Sequence, residues 1–263
     1  MTSFRASLCR ILPVVMVASM LAALSGCAAR GDASQPIPTA LITAPQKPTR
    51  LVIVLPGRAD DLEALRGSGI VQSVQSAWPD ADVVLAALTM PYYRQGIAVQ
   101  RLRSEVVLPA RTRGYQEIWL AGASMGGMGT MLYDAHYPDE LDGLILLAPY
   151  LGETSMIAEI DHAGGVASWD AGPPQPITAD TWQHELWRHI QGWTQRPASA
   201  RRVWLAYGED DRLSRAMPFL LPALPAEQVL VRKGGHTWSV WSPAMNDILL
   251  RAAGSSASVA GER

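Results

Sequence analysis

Ser124 sits at the centre of Gly122-Ala123-Ser124-Met125-Gly126, a serine with a glycine two positions to either side. A serine hydroxyl is a weak nucleophile until a neighbouring base takes its proton, and His236, in Gly234-Gly235-His236, is a residue that could do so. A carboxylate must then orient that imidazole and stabilise the charge it acquires, and Glu209-Asp210-Asp211, directly after Gly208, offers three candidates. Together these residue types support acyl transfer to water through a covalent intermediate on Ser124. The same triad serves esters, thioesters and amides, so residue types alone leave those three bonds open.

Other histidines are less suited to chemistry. His184, Glu185 and His189 resemble a zinc-protease helix, but the two histidines are five residues apart, about 500° around a helix, whereas a zinc pair needs the four-residue spacing of H-E-x-x-H. His136 precedes Tyr137-Pro138 at a helix end and is read as a capping or packing residue. No cofactor and no metal is implied by the chemistry.

The elements that must position these groups follow from the apolar pattern. Ile118, Trp119, Leu120 and Ala121 read as a buried strand and Met125 onward as a helix, so Ser124 falls on a strand-to-helix turn. Residues two before and two after crowd the serine Cβ in such a turn, which the glycines at 122 and 126 relieve. The amide of Met125, at the helix N-terminus, is aimed at any oxyanion formed by attack of Ser124. Further buried strands are read at residues 51–55, 82–88, 143–148, 202–207 and 227–231, with helices at 62–78, 95–112 and 242–252. Strands alternating with helices predict a doubly wound, mostly parallel sheet. Residues 150–200 break the rhythm: they lack an obvious strand and carry Trp169, Trp182, Trp187 and Trp193.

The elbow at Ser124, followed by acid and histidine in that order, each after a strand, resembles the α/β-hydrolase family from about residue 50 to about residue 251. The resemblance implies Ser124 as nucleophile, His236 as base and an acid three residues beyond the strand-ending glycine, which is Asp211, with Asp210 as the alternative. It also implies a second oxyanion donor after the first of these strands. Pro56-Gly57 stands where the family usually has His-Gly, so the donor is the backbone amide of Arg58. Residues 151–200 take the place of a lid. The expected function is hydrolysis of carboxylic esters of small to medium acyl or aryl groups. The alternatives are a thioesterase or a peptidase/amidase with the same triad, or a non-catalytic envelope lipoprotein that retains the fold.

The amino terminus carries Arg5 and Arg10, an apolar run over 11–24, then Ser25 and Gly26 before Cys27, the pattern of a secretory signal. Pro13 and Ser19 interrupt the run, which is shorter than the ~20 apolar residues of a spanning helix. Leu24-Ser25-Gly26-Cys27 resembles the bacterial lipobox, which implies cleavage before Cys27 and its acylation. Cys9 leaves with the signal, so no disulfide can form within the mature chain, and a lone exported thiol is best explained as a point of lipid attachment. By resemblance to lipoproteins, Ala28 in the second mature position favours the outer membrane, facing the periplasm. Residues 27–49, with prolines at 36, 38, 45 and 48, read as a tether, and residues 253–263 as a flexible tail. A formal charge of −2, falling to −4 once Arg5 and Arg10 are removed, gives no basic face for nucleic acid. The partners expected are a small-molecule acyl substrate and, through Cys27, a membrane; no protein partner is expected. Cys27→Ser should abolish lipidation and release the protein from the membrane fraction; wild-type protein recovered wholly soluble and without an attached lipid mass would contradict the anchor.

Overall fold

The computed structural model describes residues 31–261, so the signal sequence of residues 1–26 and Cys27 lie outside the described residues. Seven strands form one sheet: β1 (Thr39–Ile42), β2 (Arg50–Leu55), β3 (Ala81–Ala86), β4 (Glu117–Ala123), β5 (Gly143–Leu147), β6 (Val203–Gly208) and β7 (Val229–Arg232). Their spatial order is β1-β3-β2-β4-β5-β6-β7. All neighbours are parallel except β1, which runs antiparallel to β3. The apolar runs of β2 and β5, and the whole of β3 including Asp82, which accepts from Ala44 N and the Tyr115 hydroxyl, are buried along nearly their whole length because both sheet faces are covered.

Strand periodicity divides those runs between two cores. Leu51, Ile53 and Leu55 of β2 join Leu120, Leu144 and Leu205 on one face, beneath Trp187 and Trp193. Val52 and Val54 point to the other face, where Ala121, Ile145 and Trp204 meet α2 (Ile70–Ala77) and α11 (Trp238–Gly261). Trp78 seals this second layer, edge-on to Trp119 at 5.0 Å and donating its indole N–H to Leu249 O at 2.9 Å.

Several sequence-based boundaries move. The tether ends sooner than residue 49: β1 pairs Thr39 with Ala86 and Ile42 with Val83, and Ala33 and Ile37 are buried in the core. The Ile37 amide donates to Glu105 at 2.7 Å, and Arg101 holds the carbonyls of Ala33 and Gln35. The domain therefore begins well before residue 50. Pro36 and Pro38 fit because an edge position tolerates residues that cannot donate to a ladder. Residues 62–78 form two helices, α1 (Leu62–Gly67) and α2, broken at Gly69 with φ of 78°. Residues 95–112 are likewise segmented: after α3 (Met90–Arg94) come α4 (Ala98–Leu102), a π-helical turn (Arg103–Val107) and α5 (Leu108–Arg111). The closing helix α11 starts at Trp238 and runs past Ala252 to Gly261, with Pro243 tolerated in its second turn, so the flexible tail assigned to residues 253–263 is instead helical through Gly261.

Between β5 and β6 the insertion is helical, with α7 (Thr154–His162), α8 (Trp182–Gln195) and α9 (Pro197–Ala200), and a short α10 (Met217–Leu220) follows β6. A buried ionic knot fixes it to α6 (Met125–His136): Asp134, fully enclosed, accepts from His189 Nε2 of α8 at 2.8 Å and from Arg202 at 2.7 Å. Burial alone would push the Asp134 carboxyl up, but the His189 hydrogen bond and the Arg202 charge outweigh it and hold the group below its ordinary range.

Removing residues 1–49 should cost at least ~2 kcal/mol, since each buried Ile or Leu side chain contributes ~1.5–3 kcal/mol and β3 would also lose its strand partner. Removing only residues 1–30 should leave the Tm unchanged. Thermal melts of the two shortened proteins, with equal Tm as the contrary result, check this.

Candidate active site

All six parallel strands end at one edge of the sheet, and the loops that leave it carry the residues singled out above. At the end of β4, Ser124 has φ of 54° and ψ of −112°, a positive-φ conformation that only a strongly determined turn can impose on a non-glycine residue. Three contacts impose it. The Ser124 amide donates to Leu147 O at 2.8 Å, its carbonyl accepts from Tyr150 N at 2.9 Å, and the first turn of α6 returns Met128 N to the same carbonyl at 3.2 Å. A Cβ on residue 122 would lie 2.1 Å from Gly126 O, and one on residue 126 would lie 2.7 Å from Leu55 O and Pro56 O. Both glycines are thus required by backbone crossing at close range, as the sequence pattern anticipates.

The β2–β4 register sets Leu55 beside Gly122, which brings the turn after β2 alongside the elbow at the point where the chain switches from one side of the sheet to the other. A Cβ on Gly57 would stand 3.8 Å from that of Ser124. Gly57 N–H is itself occupied by Asp60 Oδ2 at 3.2 Å, and the same oxygen accepts the Trp238 indole N–H at 2.9 Å. This leaves Met125, whose amide heads α6 where no preceding carbonyl is available, and Arg58, both of which line the cavity beside Ser124.

The acid and histidine loops are sewn together by backbone. Glu209 N–H donates to Arg232 O at 2.8 Å and Asp210 N–H to Gly234 O at 3.0 Å, while a Cβ on Gly208 would collide with Gly234 O at 2.1 Å. Those bonds turn Glu209 and Asp210 to solvent and Asp211 inward. The Asp211 carboxylate is fully buried, accepts the Leu213 N–H at 2.8 Å, and meets His236 Nδ1 with both oxygens, at 2.8 and 2.9 Å. Of the two aspartates considered from sequence, Asp211 is the one that reaches the imidazole. The ring stands edge-on to Trp241 at 4.7 Å, and Trp241 to Trp238 at 5.2 Å. His236 Nε2 is buried with no hydrogen-bond partner, so the structure joins Asp211 to His236 without a hydrogen bond from Ser124 Oγ to that nitrogen.

Ser124 opens onto a cavity of about 650 Å³ with walls from Met90, Tyr93, Met128, Leu132, Ile177 and Trp182. Of the insertion's tryptophans only Trp182 reaches it. Trp169, Trp187 and Trp193 are buried in the same core as sheet residues such as Leu120 and Leu144, and it is this packing that seats the insertion on the body, while the indole N–H groups of Trp187, on Leu151 O at 2.8 Å, and Trp169, on Glu159 at 2.7 Å, tie parts of the insertion to one another. Burial pushes the Tyr93 hydroxyl far above the ordinary tyrosine range, and burial followed by the bond to Glu153 does the same for Tyr150, so both face the cavity as neutral phenols. Asp60, Trp238 and Tyr93 carry no sequence signal of a role here; their part depends on contacts between loops far apart in the chain.

A family model described as "Putative esterase" matches residues 100–252, which include Ser124, Asp211 and His236. No curated protein matches the sequence. Among solved structures, Est1E from Butyrivibrio proteoclasticus is similar at 18% identity over 81% of this chain and 93% of that one, with a TM-score of 0.55. A ferulic acid esterase is similar at 17% identity over 82% and 98%, with a TM-score of 0.53. The S-formylglutathione hydrolase of Staphylococcus aureus is similar at 13% over 83% and 98%, with a TM-score of 0.52. At these identities the likeness is one of fold, the α/β-hydrolase fold.

Gly122→Ala tests the elbow, because its methyl group would have to displace backbone rather than a side chain. It should lower stability by more than ~2 kcal/mol and, in the fraction that folds, reduce kcat/KM by over ~100-fold through a misplaced Ser124. Unchanged Tm and turnover would show that the turn is more compliant than its contacts imply.

Proposed function

This chain belongs to the esterase family, and on that footing we propose that it cleaves carboxylic esters of small to medium acyl or aryl groups, with Ser124, His236 and Asp211 as its triad. Hydrolysis of esters by a serine-dependent enzyme follows from the family; the residue roles and the substrate size are our reading. The observation that carries the roles is the Asp211–His236 pair, whose outer nitrogen, Nε2, is buried and unpaired at the same sheet edge as the elbow serine.

In the proposed cycle Ser124 Oγ attacks the ester carbonyl carbon as His236 Nε2 takes its proton. Asp211, bonded to Nδ1, fixes the tautomer that leaves Nε2 able to accept and stabilises the imidazolium formed. Negative charge moves to the former carbonyl oxygen, where the amides of Met125 and Arg58 receive it. His236 returns the proton to the departing alcohol as the C–O bond breaks. Water then attacks the acyl-serine as His236 takes its proton, and His236 passes that proton to Ser124 Oγ as the acyl C–Oγ bond breaks and the acid leaves. A cavity of about 650 Å³ suits a small to medium group rather than a long-chain triglyceride. Nothing in the site favours a thioester or amide over an ester. The signal pattern and Cys27 support a further proposal, that the enzyme is a lipid-anchored protein of the bacterial envelope, on the periplasmic face of the outer membrane.

Chromogenic esters of graded chain length test the assignment. Ser124→Ala should abolish turnover, and Asp211→Asn should lower kcat by up to ~10⁴-fold with KM nearly unchanged, because the amide favours the wrong imidazole tautomer. Asp210→Asn and Glu209→Gln should stay within about tenfold of wild type, ~1.4 kcal/mol in barrier. Near-normal hydrolysis by Ser124→Ala would overturn the triad, and a kcat/KM that climbs steadily to long acyl chains would overturn the size limit.

A further inference from the structure

Three arginines from three separate elements converge on the cavity that opens at Ser124. Arg58 comes from the turn after β2, Arg94 from the last turn of α3, and Arg212 from the loop that follows β6. None of them makes an ion pair with another described residue, in contrast to Arg50, Arg103 and Arg202, which are matched to Asp80, Glu140 and Asp134. The cavity has one carboxylate in its wall, Glu153, and its Oε1 is already engaged by the Tyr150 hydroxyl at 2.6 Å. The mouth is therefore cationic by two charges on a chain whose formal charge is −2. The interior behind it is apolar, lined by Met128, Leu132 and Ile177.

Unmatched guanidinium groups around a concave, low-dielectric wall raise the local concentration of anions and favour planar, bidentate contact with carboxylate or phosphate oxygens. An apolar interior with a cationic mouth fits an ester that is amphiphilic in the same sense. Building on the ester-hydrolase reading, we propose that the substrate carries a negative charge, a carboxylate or phosphate, beyond the apolar part that fills the cavity, and that Arg94 and Arg212, with the Arg58 side chain, select it. The arginines act on binding and orientation and take no part in bond making. Their effect falls on kcat/KM for anionic esters relative to neutral ones.

Two matched pairs of esters place the charge on either side of the scissile bond: 4-nitrophenyl hydrogen glutarate against 4-nitrophenyl valerate, and 4-acetoxybenzoate against its methyl ester. At low ionic strength the anionic member of at least one pair should have the higher kcat/KM by about tenfold or more, ~1.4 kcal/mol in barrier. The advantage should shrink as salt shortens the screening length from ~30 Å at 0.01 M to ~3 Å at 1 M. Arg94→Gln combined with Arg212→Gln should bring the ratio close to one. Lys47→Gln, which removes an exposed charge near the opposite edge of the sheet, should leave it intact. Neutral esters hydrolysed as well as or better than both anionic partners would overturn the proposal while leaving the esterase reading in place. Failure of the wild-type protein on all four esters would overturn both.

Discussion

The close approach of the β4–α6 turn to the end of β2 is the constraint on which the site depends. Backbone at Gly122 and Gly126 passes within distances that exclude even a methyl group, and this contact is what holds Ser124 at a positive φ. A non-glycine residue in such a conformation costs on the order of 1–3 kcal/mol, so the turn persists only because its surroundings over-determine it. The β5 carbonyl of Leu147, the amide of Tyr150 and the first turn of α6 supply that determination. The same contact fixes the distance between the elbow and the Gly57-Arg58 turn, and thus the width of the slot in which an oxyanion would form.

Around that point the fold joins parts that would otherwise be independent. Asp60 links the turn after β2 to Trp238 at the start of α11, and Trp238 meets Trp241 edge-on, as Trp241 meets His236. The histidine loop is thereby referenced to the turn after β2 and not only to the loop that carries Asp211. On the other face of the sheet, Asp134 ties the helix headed by Ser124 to the insertion through His189, which places the wall containing Trp182 on the same rigid frame.

The parallel sheet and the three catalytic candidates were legible because they rest on strong local signals. Residues 51–55 of β2 and 144–147 of β5 are apolar at every position, and the glycines flanking Ser124 stand at a spacing with a steric cause. Asp211 could be counted from Gly208, although only the backbone bonds between the two loops show why Asp210 faces away. What stayed hidden depends on distant partners. β1 has four residues of which only Ala40 is buried, set among prolines, so its two-residue period is too short to read. The break at Gly69, the segmented stretch after Arg94 and the extension of α11 past Ala252 are tertiary overrides of patterns that looked continuous. The insertion tryptophans illustrate a limit of composition: their number suggested an aromatic pocket, whereas three of the four are fastened into the core.

The early start of the folded body has a consequence for how the protein would work at a surface. Ala33 is already buried, the first core side chain among the described residues, and it lies only six positions after Cys27. At ~3.3–3.6 Å per residue, that leader spans about 20 Å even when fully stretched. With Cys27 acylated, the enzyme would ride against the lipid headgroups rather than sweep a wide volume on a long leash. Its encounters would then be governed by what diffuses along the bilayer face as much as by what is dissolved above it.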